Sequence, residues 1–315
     1  MFYFYSTGTM EENMKYCAAC NQQLSYEKLY EYVQCPECHS YIYVSDQPAD
    51  AENKQYFDEI FQTLGDRKNH ERKRILFEKY VHKDNKLREK QYVTFFERRE
   101  QIRKHLKVPS RILEIGFGSG EHLYDMLRQG MDASGVDLSE TAVRNFSEKY
   151  PEYANRVQCG TRFNKQVDVI YCCALLEHLD TPEQFIKDAS ECLCENGLLI
   201  IDALPLLNER PSSLTADEDI SFWKPCHRII YSLRGLNLMM GKYGFTNEIS
   251  ALHDDYYYRV LSLHVKYGYR NIIELRSSTI KHDALPGYFA YYYLCWRALR
   301  AHSLALHGCL MFRKI

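Results

Sequence analysis

Apolar and polar positions follow two periods along the second half of the chain. "SRILEI", 110–115, is a nearly continuous apolar run and predicts a strand buried on both faces. "EHLYDMLRQG" follows with helical spacing and a glycine stop at Gly130. "MDASGVDLS" predicts a second strand ending in Asp137, and "ETAVRNFSEKYP" a helix ended by Pro151. The run "RVQC" predicts a third strand. "VDVIYCC", "GLLIID" and the closing "LALHGCLMFRKI" complete the series of strands. Strand, turn and helix in alternation predict an α/β domain with a parallel sheet.

The first hundred residues differ. Cys17 and Cys20 form one C-x-x-C pair, and Cys35 and Cys38 form another fourteen residues further on. Each such turn presents two thiolates to one ion, and Zn²⁺ accepts four in a tetrahedron. With "NQQLSYEKLYEYVQ" and "HSYIYVS" as hairpin strands, the segment resembles a zinc ribbon. Four cysteines leave no open ligand position, so the zinc is expected to be structural. Between residues 66 and 111 the chain turns basic. Ile75, Leu76, Tyr80, Phe95, Phe96 and Ile102 recur at roughly helical spacing, predicting two or three helices. That connector is either a solvated face or a lid that attracts an anionic substrate.

Composition narrows the classes. The formal net charge is −2, which gives no global basic field, so nucleic acid is not expected as a partner. No apolar run reaches the ~18–20 residues of a membrane span. The start "MFYFYSTGTM" lacks the features of a secretion signal. The chain is therefore expected in the cytoplasm, where most of its twelve cysteines would be reduced thiols.

Chemistry concentrates at "RILEIGFGSGEH". Gly116, Gly118 and Gly120 stand at alternate positions, and Glu121 occupies the place of a third dinucleotide glycine. A carboxylate at a helix N-terminus opposes a pyrophosphate but suits a ligand with a positive centre. Glu114 points the same way. No Gly-Lys-Ser/Thr follows, so the loop is not a P-loop. Asp137, about twenty residues on, stands where an acidic side chain meets ribose hydroxyls in nucleotide-binding βαβ units.

Residues 111–120 and Asp137 resemble motif I and the following acidic position of class I S-adenosylmethionine-dependent methyltransferases. The Glu177-His178 turn after the fourth strand and the segment "HRIIYSLRGLNLMMGKYGFT" continue the resemblance. Together with the C-x-x-C ribbon, the chain is similar to a bacterial group associated with modification of surface sugars and other small metabolites. The resemblance implies a Rossmann-like seven-stranded methyltransferase sheet, mostly parallel with the last strand antiparallel. It divides the chain into a zinc ribbon at 1–48, a helical connector or lid at 49–110 and a methyltransferase domain at 111–315. A helical insertion around 252–302 would cap the pocket or make a homodimer contact.

Carried over by residue, the resemblance implies that Gly116, Phe117, Gly118 and Gly120 pass beneath the methionine part of S-adenosylmethionine. Glu114 would hold the loop or the amino group, Asp137 beside Leu138 would take the ribose diol, and Gly160 and Thr161 would form the adenine corner. Tyr171 and Cys172 would end the fourth strand beside the cofactor. No covalent nucleophile is needed for methyl transfer from a sulfonium, so His178 and His227 are the candidates that act on the acceptor. Tyr231 and Trp223 are candidate pocket walls. Some quinone-type O-methyltransferases carry a further Glu three residues before the Glu-His pair. Here that residue is Ala174, so Mg²⁺ held by that ligand set is not expected.

The expected activity is methyl transfer to a small-molecule acceptor, a sugar or nucleotide-linked sugar. The competing readings are an RNA or protein methyltransferase gripping its polymer with ribbon and connector, and a non-catalytic cofactor-binding protein. Against the former, "CCALLEH" lacks the Asn-Pro-Pro-aromatic turn that holds a flipped base.

Overall fold

The computed structural model describes residues 16–26, 31–45, 110–160, 166–209, 219, 221–222, 226–253 and 305–315. The basic connector, most of the 252–302 insertion, Thr161 and Trp223 lie outside the described residues.

Strands β3 (Arg111–Ile115), β4 (Asp132–Asp137), β5 (Val157–Cys159), β6 (Val167–Cys173), β7 (Leu193–Leu207), β9 (Phe245–His253) and β10 (Ala305–Lys314) form one sheet. Its order is β5-β4-β3-β6-β7-β10-β9. Pairing is parallel from β5 to β7, while β10 runs antiparallel to both β7 and β9. The sheet is thus the expected Rossmann-like one, with its last strand reversed.

Side-chain alternation along each strand feeds two cores. On one face Ile112, Val169, Tyr171 and Ile200 meet Leu123 and Leu127 of helix α1 (Glu121–Arg128) and Ala142 and Phe146 of α2 (Glu140–Lys149). Each helix sends inward two residues four apart, one turn of a helical stripe. On the other face Leu113, Ile170, Cys172 and Leu199 meet Ile186 and Ala189 of α3 (Pro182–Cys192) and Met239 and Met240 of α4 (Leu233–Lys242). Ser139 caps α2 by accepting from the Ala142 amide at 3.1 Å, and Ser232 caps α4 through the Gly235 amide at 2.8 Å. Among the described residues no helix is long and apolar enough to cross a membrane.

The chain leaves β3 toward β4 and β5 and then returns to place β6 on β3's other side. The order therefore reverses between β3 and β6, where open α/β sheets form their ligand crevice. The loops after these two strands abut: a Cβ on Gly116 would lie 3.2 Å from Leu175 Cδ1.

Two expectations are corrected. The strand predicted from "GLLIID" does not stop at Asp202: "ALPLL" continues β7 through Leu207, with Ala203 at φ 56 marking an irregularity. Tyr231, a candidate pocket wall, is fully buried, and its hydroxyl donates to the Leu176 carbonyl at 3.4 Å.

The tightest glycine requirement is at Gly120, which has φ 71 and where a Cβ would sit 2.2 Å from the Phe146 ring. Gly120→Ala is expected to cost about 2–4 kcal/mol, combining left-handed strain with overpacking. Chemical denaturation of the two proteins checks this.

Candidate functional site

The glycine loop is tied into the sheet. The Gly116 amide donates to the Val136 carbonyl at 2.8 Å, and the Gly120 amide to the Phe117 carbonyl at 2.8 Å. Gly116, Gly118 and Gly120 have φ of 67, 52 and 71, conformations that side chains resist. The loop's backbone is thereby presented bare. Asp137, at the end of β4, holds it in place: one carboxylate oxygen accepts from the Gly118 amide at 2.8 Å, the other from the Ser139 amide at 2.9 Å. The Asp137 carbonyl accepts from the Gly160 amide at 2.9 Å, which brings the adenine-corner candidate to the same rim. Leu138 beside it is 69% exposed, an apolar side chain open at the end of the sheet.

The other loop candidates divide by side chain. Phe117 is buried under the loop, its ring 5.6 Å from Phe146, so its side chain belongs to the core. Glu114 is buried within β3 in register with Tyr171 of β6. Tyr171 and Cys172 are core residues rather than strand ends. The Tyr171 hydroxyl donates to Asp202 at 3.0 Å, and β6 continues to Cys173.

A second cluster follows β6. Ala174, at φ 48, turns the chain into the 3-10 segment Leu176–His178. Glu177 and His178 are buried there, and His227 is brought beside them from 49 positions downstream. The two imidazole rings are 4.8 Å apart and nearly perpendicular. His178 Nδ1 bonds the Cys226 carbonyl at 2.8 Å, and His227 Nδ1 bonds the Ser221 carbonyl at 2.7 Å. His178 Nε2 lies 3.8 Å from Glu177 Oε1. Burial pushes the Glu177 carboxyl up to about 8 and the His178 imidazole down to about 4. Burial, and then the neighbouring His178, hold His227 well below the usual histidine range. Both rings are thus neutral near pH 7. The segment is braced by the Arg228 amide donating to the Glu177 carbonyl at 2.6 Å and by the Arg228 guanidinium on Asp180 at 2.8 Å.

The structure brings His178 and His227, separate in sequence, side by side. Sequence reading passed over Glu177 as a partner in its own right. Its signal was its place beside His178 on a short turn between two buried elements.

The four N-terminal cysteines also converge, their sulfurs all within 4.8 Å of one another. Cys17 and Cys38 Sγ are 3.6 Å apart, and Cys20 and Cys35 Sγ 3.5 Å. Disulfides would need about 2.05 Å. Thiolates sharing a tetrahedral zinc lie about 3.8 Å apart, given Zn–S bonds of about 2.3 Å. The donor set fits a closed structural zinc. Its hairpin, β1 (Glu31–Gln34) with β2 (Tyr41–Val44), gains a third strand from far along the chain, β8 (Ile229–Ile230). Around it, the Ser232 hydroxyl donates to the Cys38 carbonyl and the Ser232 amide to Ser40 Oγ at 3.0 Å. The Tyr32 hydroxyl donates to the His227 carbonyl at 2.6 Å. A Cβ on Gly235 would fall 2.4 Å from Ser40 Oγ and 3.0 Å from Cys38 Sγ. The cysteine hairpin is therefore stitched to the strand that follows His227.

A family model described as a methyltransferase domain matches residues 85–249, just over half of the 315-residue chain. The chain is 28% identical over 101 residues to the ubiquinone biosynthesis O-methyltransferase of Coxiella burnetii, covering 30% of this chain and 43% of that protein. It is 28% identical over 104 residues to the mitochondrial ubiquinone biosynthesis O-methyltransferase of Schizosaccharomyces pombe, covering 30% and 38%. The chain spans less than half the length of these curated relatives. Among solved structures it is similar to the O-methyltransferase from a trans-AT PKS multienzyme of Brevibacillus brevis in complex with S-adenosyl-L-homocysteine. That match has 13% identity, coverage of 67% of this chain and 68% of that one, and a TM-score of 0.44.

Purified protein is expected to hold about one zinc through the four cysteines, and the double variant C35S/C38S to lose it. Because metal binding free energy is folding free energy for such a hairpin, the variant should melt earlier. Metal analysis and thermal denaturation of the same samples check both outcomes.

Proposed function

The chain belongs to the methyltransferase-domain family, and we propose that it transfers the methyl group of S-adenosylmethionine to a small-molecule acceptor bearing a hydroxyl, a sugar or nucleotide-linked sugar. The observation that carries this reading is the bare glycine loop held by Asp137 at the sheet's reversal point, with a histidine pair after the adjoining strand.

In this reading the methionine end of the cofactor lies against Gly116, Gly118 and Gly120, where side chains would collide with it. Asp137 accepts from the loop and α2 amides, and its carboxylate, at the end of β4 beside the glycine loop, is the acceptor for the ribose hydroxyls. Leu138 offers an apolar surface to the adenine, with Gly160 and Thr161 closing that corner. Glu114 and Glu121 favour the cationic end of the ligand, an amine or the sulfonium itself. The cysteine hairpin holds zinc and keeps the His227 segment in place.

Methyl transfer is an in-line displacement. The acceptor oxygen bonds the methyl carbon, the methyl–sulfur bond breaks, and neutral S-adenosylhomocysteine remains while the acceptor's proton is lost. The protein's task is alignment, exclusion of water and easing that proton's departure. His178 and His227 act on the acceptor. The names of the Coxiella and fission-yeast relatives, both O-methyltransferases, support oxygen as the methylated atom.

Calorimetry with S-adenosylhomocysteine should show binding to the wild-type chain, weakened at least about tenfold by Asp137→Ala, which removes the loop's anchor as well as the ribose acceptor. A wild-type chain that does not bind S-adenosylhomocysteine ends this reading. With an accepted substrate, His178→Ala should lower kcat by about 10²-fold or more while leaving that binding within about twofold.

A further inference from the structure

We propose that Glu177, His178 and His227 form a second cation site, separate from the four cysteines, that takes a divalent first-row transition ion. Its place in catalysis rests on the methyltransferase reading; the binding site itself stands on geometry.

One ligand atom from each of these residues lies within 4.8 Å of the others. Two of the residues come from the 3-10 turn after β6, and the third from the segment entering β8. Metal-bound atoms about 2.0–2.2 Å from a shared ion sit about 3–3.5 Å apart. The 3.8 Å between His178 Nε2 and Glu177 Oε1 therefore needs a closure of less than 1 Å.

The imidazoles are already set in the ligating tautomer. A backbone carbonyl only accepts, so the bonds from Nδ1 to the Cys226 and Ser221 carbonyls place the proton of each neutral ring on Nδ1. The basic lone pair is then on Nε2. Fixing a histidine through its other nitrogen on a carbonyl is how proteins orient metal ligands.

Glu177 supplies an independent observation. It is 1% exposed, and among the described residues its Oε2 is buried with no hydrogen-bond partner. A buried carboxylate oxygen without a donor is a costly arrangement, and a cation beside it removes the cost.

The donor set selects the ion. Two imidazoles and one carboxylate suit Mn, Fe, Co, Ni or Zn, whereas Mg²⁺ and Ca²⁺ prefer oxygen alone. The set also differs from the Glu-x-x-Glu-His arrangement that Ala174 breaks, because its third ligand comes from His227. Three protein ligands leave positions open. An acceptor hydroxyl coordinated there would shed its proton to solvent, after which its oxygen bonds the methyl carbon as the methyl–sulfur bond breaks.

The test uses the full chain with zinc in its four-cysteine site, titrated with Co²⁺ and followed by absorption and proton NMR. The expected result is one further cobalt per chain without thiolate charge-transfer bands. It should carry two paramagnetically shifted, exchangeable imidazole N–H signals, since the four-cysteine site contains no histidine. Glu177→Gln should weaken cobalt binding at least about tenfold, and His227→Gln should remove one shifted N–H signal. No uptake of the further cobalt by the wild type, or no shifted imidazole N–H, overturns the proposal, and neither readout depends on a variant folding. S-adenosylhomocysteine calorimetry on the same samples separates the two readings. Cobalt uptake without S-adenosylhomocysteine binding would uphold the metal site and sink the methyltransferase.

Discussion

The glycine loop and the strand ends around it turn on the carboxylate of Asp137. Its two oxygens receive one amide from the glycine loop and one from the entry to α2, so a single side chain fixes the loop after β3 relative to the helix after β4. Such charge-assisted bonds are about twice as strong as neutral ones. Left-handed backbone at three glycines would otherwise be entropically expensive to hold. The same residue's main chain fixes Gly160 after β5, so three successive strand ends are registered on one position.

Much of the sheet was legible in the sequence because its signals are local. The run 110–115, the glycines after it and Pro151 each announce an element boundary within a few residues. What stayed hidden depends on partners distant in sequence. The stretch "ALPLL" carries Pro205, a residue that ends most strands, yet it is strand. Pairing of β7 with β6 ends at Asp202 and the bridge to Tyr231 begins only at Leu206, so Pro205 is opposed by β10 alone, an edge-like position where a residue without an amide proton is tolerated. Tyr231 looked like a pocket wall because nothing nearby in sequence reveals that Leu206 and Leu176 enclose it.

The candidate site divides in the same way. The loop glycines, Asp137 and the Glu-His turn carry spacing that can be read directly. The meeting of His227 with Glu177 does not, since it follows from how the segment before β8 holds His178 through the Cys226 carbonyl and its own His227 through the Ser221 carbonyl. Nor does spacing reveal that Phe117 and Tyr171 belong to the core: strand alternation turns Tyr171 inward, while the bend of the glycine loop turns the Phe117 ring under it against Phe146.

The short strand β8 has a consequence for biosynthesis. The hairpin near the amino terminus is completed by residues more than 190 positions later, through Tyr32, Ser40 and Cys38. While the chain is being made, the two-stranded hairpin emerges long before its third strand, and a lone hairpin is only marginally stable in water. Contacts so far apart also carry a large closure cost before they return any stability. The hairpin, made well before the strand that completes it, is thus among the last parts to reach its final form, and a metal held by its cysteines would be what keeps it in shape meanwhile.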